Sequence, residues 1–181
     1  MKIIYRICLI FLLSSCSTKK SGFKIDTGIN KTFDFVDNDF KPTKSILFYM
    51  KGYSEFESFY KDLSYEIIKN ADRSNFIIDT DINYPSGIEG FEDIETDVDK
   101  LKYDLNQFDN VCYILLGKEK SIIENIKNQN ERKFNFTVYV LLQELKTNKI
   151  VLNNKFNITS KANMFTQNSA LGETIVKELK L

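Results

Sequence analysis

The sequence predicts an α+β domain. A β-α-β-α-β run is followed by a long antiparallel hairpin and a C-terminal helix, giving a mixed sheet with helices packed on it. Three observations predict this. Residues 45–50 and 111–116 are continuous apolar runs of strand length, as in strands covered on both faces. Between them, apolar residues recur at helical spacing. Beyond them, Phe134, Phe136, Val138, Val140 and Leu142 alternate strictly, as in a strand that lays one face on a core.

Taken in order, Pro42 precedes the first strand, 45–50. Gly52 and Tyr53 turn the chain, and Ser54 with Glu57 three residues on forms a capping box. Phe56, Phe59, Leu63 and Ile67 then make the stripe of a helix ending near Asn70. Residues 75–79 are a second short strand. After the break at Pro85-Ser86-Gly87, Ile94, Val98, Leu101 and Leu105 share one face of an expected helix over 92–107, acidic at its start as the helix dipole favours. Residues 111–116, closed by Gly117, are the third strand. The hairpin turns through Lys146-Thr147-Asn148-Lys149, with Asn148 suited to a left-handed conformation, and returns with Ile150, Leu152, Phe156 and Ile158 on one face. A last helix is expected over 171–179.

Ahead of the domain stands a different kind of segment. Lys2 and Arg6 are followed by an apolar run over 7–13, then Leu13, Ser14, Ser15 and Cys16. The run is too short to span a bilayer, which takes roughly 20 residues, and has the length of a signal-peptide core. The pattern resembles bacterial lipoprotein signals, whose processing motif is a leucine, two small residues and the cysteine. It implies a signal peptide at 1–15, with Leu13, Ser14 and Ser15 as the signal-peptidase motif and Cys16 as the lipidated residue. Residues 16–40 are then a lipid-anchored tether and 41–181 a single domain. The expected location is a bacterial membrane, the outer membrane facing the periplasm.

Composition removes several classes of function. The chain has 25 basic and 25 acidic residues, and without Lys2 and Arg6 the mature charge is near −2, unlike a nucleic-acid binder. There is no histidine, which excludes Ser-His-Asp and Cys-His catalysis and imidazole metal sites. With Cys8 in the signal and Cys16 lipidated, Cys112 is left without a disulfide partner, and it lies in an apolar run as a small buried hydrophobe.

The remaining candidates are weak as chemistry. Asp79, Asp81 and Asn83 match the first ligands of a calcium loop, but Tyr84 stands where glycine is needed and Gly90 where glutamate is needed. The acidic run 89–99 is the solvated start of a helix. No glycine-rich phosphate loop is present. The expectation is a protein without cofactor, metal, catalytic residue or small-molecule substrate. Tyr139 and Leu141 lie on the outward face of the hairpin and are the expected partner-contact residues, with burial under a covering segment as the competing outcome.

Three stretches carry a further resemblance. Lys41-Pro42-Thr43 leads into the first strand. Residues 109–117, Asp-Asn-Val-Cys-Tyr-Ile-Leu-Leu-Gly, end a strand in glycine. Residues 136–152 form a hairpin through Thr147-Asn148-Lys149. In this order they resemble the domain of the penicillin-binding-protein activator lipoproteins, related in fold to the amino-terminal domain of TolB. The resemblance covers residues 41–160 and implies a non-enzymatic adaptor that binds and regulates another envelope protein, a peptidoglycan synthase. Two features depart from it. Leu152 stands where the family often has tryptophan, and the tether is short: about 24 residues average about 25–29 Å end to end and reach about 80 Å at most. The alternative is a lipopolysaccharide-assembly-type lipoprotein partnering an outer-membrane β-barrel. The roughly 30 residues between the second and third strands disfavour it.

Overall fold

In the computed structural model, the apolar run at 45–50 becomes a strand flanked on both sides by parallel neighbours. The structure describes residues 27–41, 45–51, 57–71, 77–83, 90–94, 96, 101, 104–117, 124–125 and 132–181. Cys16, its processing motif and Ser54 of the expected capping box lie outside them.

The strands are β1 (Ile29–Val36), β2 (Ser45–Lys51), β3 (Ile77–Asn83), β4 (Asn110–Leu116), β5 (Glu124–Asn125), β6 (Arg132–Glu144) and β7 (Lys149–Ser160). They form one sheet in the order β1-β7-β6-β4-β2-β3, with β5 beside β6. β2 is parallel to β3 and β4; β4, β6, β7 and β1 run antiparallel in turn. The helices are α1 (Glu57–Asn70) and α2 (Met164–Leu179). The fold is thus the expected mixed α+β sheet with helices packed on it.

Alternation along the strands divides the core in two. One face carries Ile46, Phe48, Met50, Cys112, Ile114, Val138, Val140, Leu142, Leu152 and Phe156. It is covered by Phe59, Tyr60, Leu63 and Ile67 of α1 and Leu171, Ile175 and Leu179 of α2. Burial pushes the Cys112 thiol far above its ordinary pKa, so it packs as an apolar group. α1 and α2 run in the same direction: Asn168 Nδ2 donates to Phe59 O at 3.2 Å and to Asp62 Oδ2 at 3.0 Å. One turn on, Gly172 lies against Glu66. The second face carries Leu47, Val111, Tyr113, Leu115, Tyr139 and Leu141 beneath Phe91, Ile94, Leu101, Leu105 and Phe108.

Three expectations need correction. β1 lies inside the stretch 16–40 expected as tether, so the folded domain starts well before residue 41. The described residues of the expected helix 92–107 form two short 3-10 turns, Phe91–Asp93 and Leu105–Gln107, separated by extended Ile94 and Asp104. The Asp104 carboxylate accepts from Asn106 N at 3.1 Å, a local bond that competes with a helix. Finally, α2 begins at Met164 rather than at 171, capped by Asn163, whose side chain accepts from Thr166 N at 2.8 Å.

Candidate functional site

Four chain segments meet at the hairpin end of the sheet: the run leaving β1, the loop entering β4, the start of β2 and the β6–β7 turn. Each is held by its own polar contacts. Asp37 N donates to Val151 O at 2.9 Å, and Asp37 Oδ1 accepts from Asp39 N at 2.9 Å, so residues 37–40 form a tight turn that ends with Phe40 buried. Asp109 N donates to Ser45 Oγ at 2.8 Å, while that hydroxyl donates to Asp109 Oδ2 at 3.0 Å. Leu145 N donates to Asp109 O at 2.9 Å. Asn148 takes the left-handed conformation expected of it, at φ 58°.

Below the turn lies Gln143, only 1% exposed, which ties the site together from beneath. Its Oε1 accepts from the Tyr113 hydroxyl at 3.1 Å. Its Nε2 donates to Thr96 O at 3.2 Å and to Asn148 Oδ1. One buried amide thus fixes the covering segment, the strand and the turn relative to one another.

The segments enclose an open cleft of about 830 Å³. Its apolar lining comes from Phe40, Leu105, Phe108, Leu145 and Val151. Its polar lining includes Asp37, Asp39, Asp109, Glu144, Lys41, Lys146 and Lys149. Several of these charges are committed to the protein itself. Asp37 pairs with Lys149, Glu144 accepts from the Thr147 hydroxyl, and Asp109 holds Ser45. The hydrogen bond from Lys149, helped by the Asp39 amide, holds the Asp37 carboxyl below its ordinary pKa, and the same contact raises Lys149. Asp39, Lys41 and Lys146 stand exposed at the rim. Among the described residues no cluster of three His, Cys, Asp or Glu is placed to hold a metal. The arrangement offers an apolar floor with charges of both signs around it.

The sequence-expected contact residues sit elsewhere. Tyr139 and Leu141 do lie on the second face, but each is 4% exposed. The Phe91 ring packs on Tyr139 at 5.0 Å between centroids, and Lys155 Nζ lies 5.2 Å from the Tyr139 ring centre. A contact through Tyr139 and Leu141 is therefore corrected to a packing role, because the segment before β4 covers them. The cleft itself went unpredicted: its walls are short loops far apart in sequence. The available signal was the run of turn-forming polar residues at 37–39 and 146–149.

No protein-family model matches the chain, and no curated protein matches it. Solved structures share its fold. The PelC dodecamer from Paraburkholderia phytofirmans matches at 9% identity over 83% of this chain and 96% of that one, with a TM-score of 0.55. A Leu-to-Met variant of that dodecamer matches at 7% identity over the same shares, with a TM-score of 0.52. At such identity the likeness is one of fold.

Proposed function

We propose that the protein is a lipid-anchored, non-enzymatic envelope adaptor that binds another envelope protein through the cleft at the hairpin end. The observation that carries this reading is the position of attachment and cleft on one strand. The chain from Cys16 reaches the sheet at Gly28, whose carbonyl accepts from Thr159 N at 2.9 Å. β1 then delivers its far end, through Asp37, to the cleft. Eight residues of strand separate the two by about 26 Å, so an anchor at Cys16 leaves the cleft open.

The strand also shortens the reach. About a dozen residues lie between Cys16 and Gly28, spanning at most about 40 Å. The partner must therefore present its binding segment close to the anchoring membrane. The sequence resemblance makes a peptidoglycan synthase the first partner to test, with binding acting by a shift in the partner's conformational populations. Self-association is a second reading, favoured by the fold shared with a protein described as a dodecamer.

A photo-crosslinking residue at Lys146, introduced in cells and followed by mass spectrometry, tests these readings. A synthase as product supports the first. A crosslink only to a second copy of the chain supports the second. An outer-membrane barrel replaces both with the assembly-type role. Separately, Cys16→Ala is expected to release the protein from membranes, and undiminished membrane association overturns the anchor.

A further inference from the structure

Phe33, Phe35, Val36, Tyr65 and Phe165 are the large apolar side chains left exposed among the described residues. Tyr65 and Phe165 stand singly on α1 and α2. The other three cluster on β1, an edge strand paired on one side with β7. Phe33 and Phe35, 46% and 44% exposed, alternate on the second face, opposite Lys155 and Asn153 in the register. The Phe33 ring is held by packing on its inner side. Phe33 rests on Phe91 at 5.2 Å, and Phe91 rests on Tyr139 at 5.0 Å, so an aromatic row backs Phe33 from the core outward, and Phe35 stands two residues on along the same face.

The backbone edge beside these rings is guarded. The register shifts between Lys31 and Phe33, a bulge that bends the edge, and the charged Lys31 and Asp34 flank it. Such features oppose the addition of another strand. What β1 offers is therefore side chains, two half-exposed rings on one face of the strand, rather than a hydrogen-bonding edge.

We propose that β1 docks on the bilayer that holds Cys16, with the Phe33 and Phe35 rings entering the boundary between headgroups and acyl chains. This rests on the lipid-anchored reading of Cys16. The occupant follows from the chain outside the described residues: it comes from the lipidated cysteine and joins the sheet directly at β1. The dozen residues between them keep this strand within about 40 Å of the membrane, which gives it a high effective concentration there. The same stretch carries Lys19, Lys20 and Lys24 against Asp26, a balance drawn to anionic headgroups. Docking of this kind lays β1 along the membrane and sets the cleft at the level of the lipid surface.

The absence of tryptophan gives a clean test. Full-length lipidated Phe35→Trp, reconstituted into vesicles of phosphatidylethanolamine with a minor share of phosphatidylglycerol, carries one indole. Its emission is expected to shift to the blue and to be quenched by lipids brominated near the headgroup. Tyr65→Trp, at an exposed position of α1, is expected to keep water-like emission and to escape quenching. Vesicle flotation of the same samples reports the anchor independently. Protein that floats while the Phe35→Trp indole stays water-exposed overturns the docking and leaves the anchor standing. Protein that fails to float overturns both. Equal quenching at the two positions, or a shift that follows protein concentration rather than lipid, also overturns it, the latter by assigning the patch to a second copy.

Discussion

Two glycines sit at close approaches of the chain, one prohibitive to any side chain and one tight. Gly28 has φ +61°, and a Cβ there would sit 1.7 Å from Thr159 O. Gly28→Ala is expected to lower stability by about 1–3 kcal/mol and to loosen the start of β1, seen as faster amide exchange there. At Gly172 a Cβ would lie 3.0 Å from Glu66 Cβ and 3.2 Å from the α1 backbone. Gly172→Val forces the helices apart, an overpacking cost of about 1–3 kcal/mol in urea unfolding. The ion pair at the cleft makes a pH prediction. Asp37 has a lowered pKa when folded, so its contribution is full above the ordinary value of 3.8 and is lost as pH falls through the lowered one. Lys149 has a raised pKa, so its contribution is full below 10.5 and is lost as pH rises through the raised one. With no histidine in the chain, the stability difference between wild type and Asp37→Asn is expected to stay level across neutral pH and to shrink in strong acid. A difference that changes between pH values of about 6 and 8 refutes this assignment.

Among the elements, burial decided what the sequence made legible. β2 and β4 are covered on both faces, and their apolar runs showed it. The hairpin announced itself by alternation on β6 and by Asn148. β1 was missed because an edge strand buries little: Lys31, Thr32 and Asp34 break its apolar pattern, and its phenylalanines point to solvent. Lys31 is held there by carboxylates at 2.9 Å, Asp34 on its own strand and Glu178 on α2. Burial alone would lower the pKa of Lys31, and the two carboxylates reverse that and raise it. The expected helix at 92–107 had the right apolar spacing, since Ile94, Leu101 and Leu105 do face the sheet. Periodicity reports a face to be buried and leaves open the backbone that delivers it, and Asp104 offered the chain a local alternative. The same blindness hid the cover over Tyr139 and Leu141. The first turns of α2 were missed because Asn163, Gln167, Asn168 and Ser169 resemble a loop, although Gln167 and Asn168 are buried. Their helical state depends on the Asn163 cap. Asn163→Ala is expected to cost about 1 kcal/mol in thermal or urea unfolding.

For the molecule as a whole, the position of β1 sets where the folded unit begins. A chain starting at 41, the boundary its sequence suggests, would remove the strand that pairs with β7 from Ile158 to Leu152. It would also remove the Asp37–Lys149 pair, the Lys31–Glu178 pair and Phe40, which packs into the helix-side core and accepts from Lys180 Nζ at 3.4 Å. β7 would then become a long edge with no strand covering it, a template for pairing with other chains. A chain starting at 27 keeps all of these. The shorter protein is expected to form concentration-dependent oligomers or aggregates with a lower unfolding midpoint, while the longer one stays dispersed and unfolds cooperatively. Size-exclusion chromatography at several concentrations, together with urea unfolding, separates the two outcomes. Equal behaviour of the two chains would make β1 an appendage of the tether. It would also return to the protein the longer reach that β1, as a strand of the sheet, takes away.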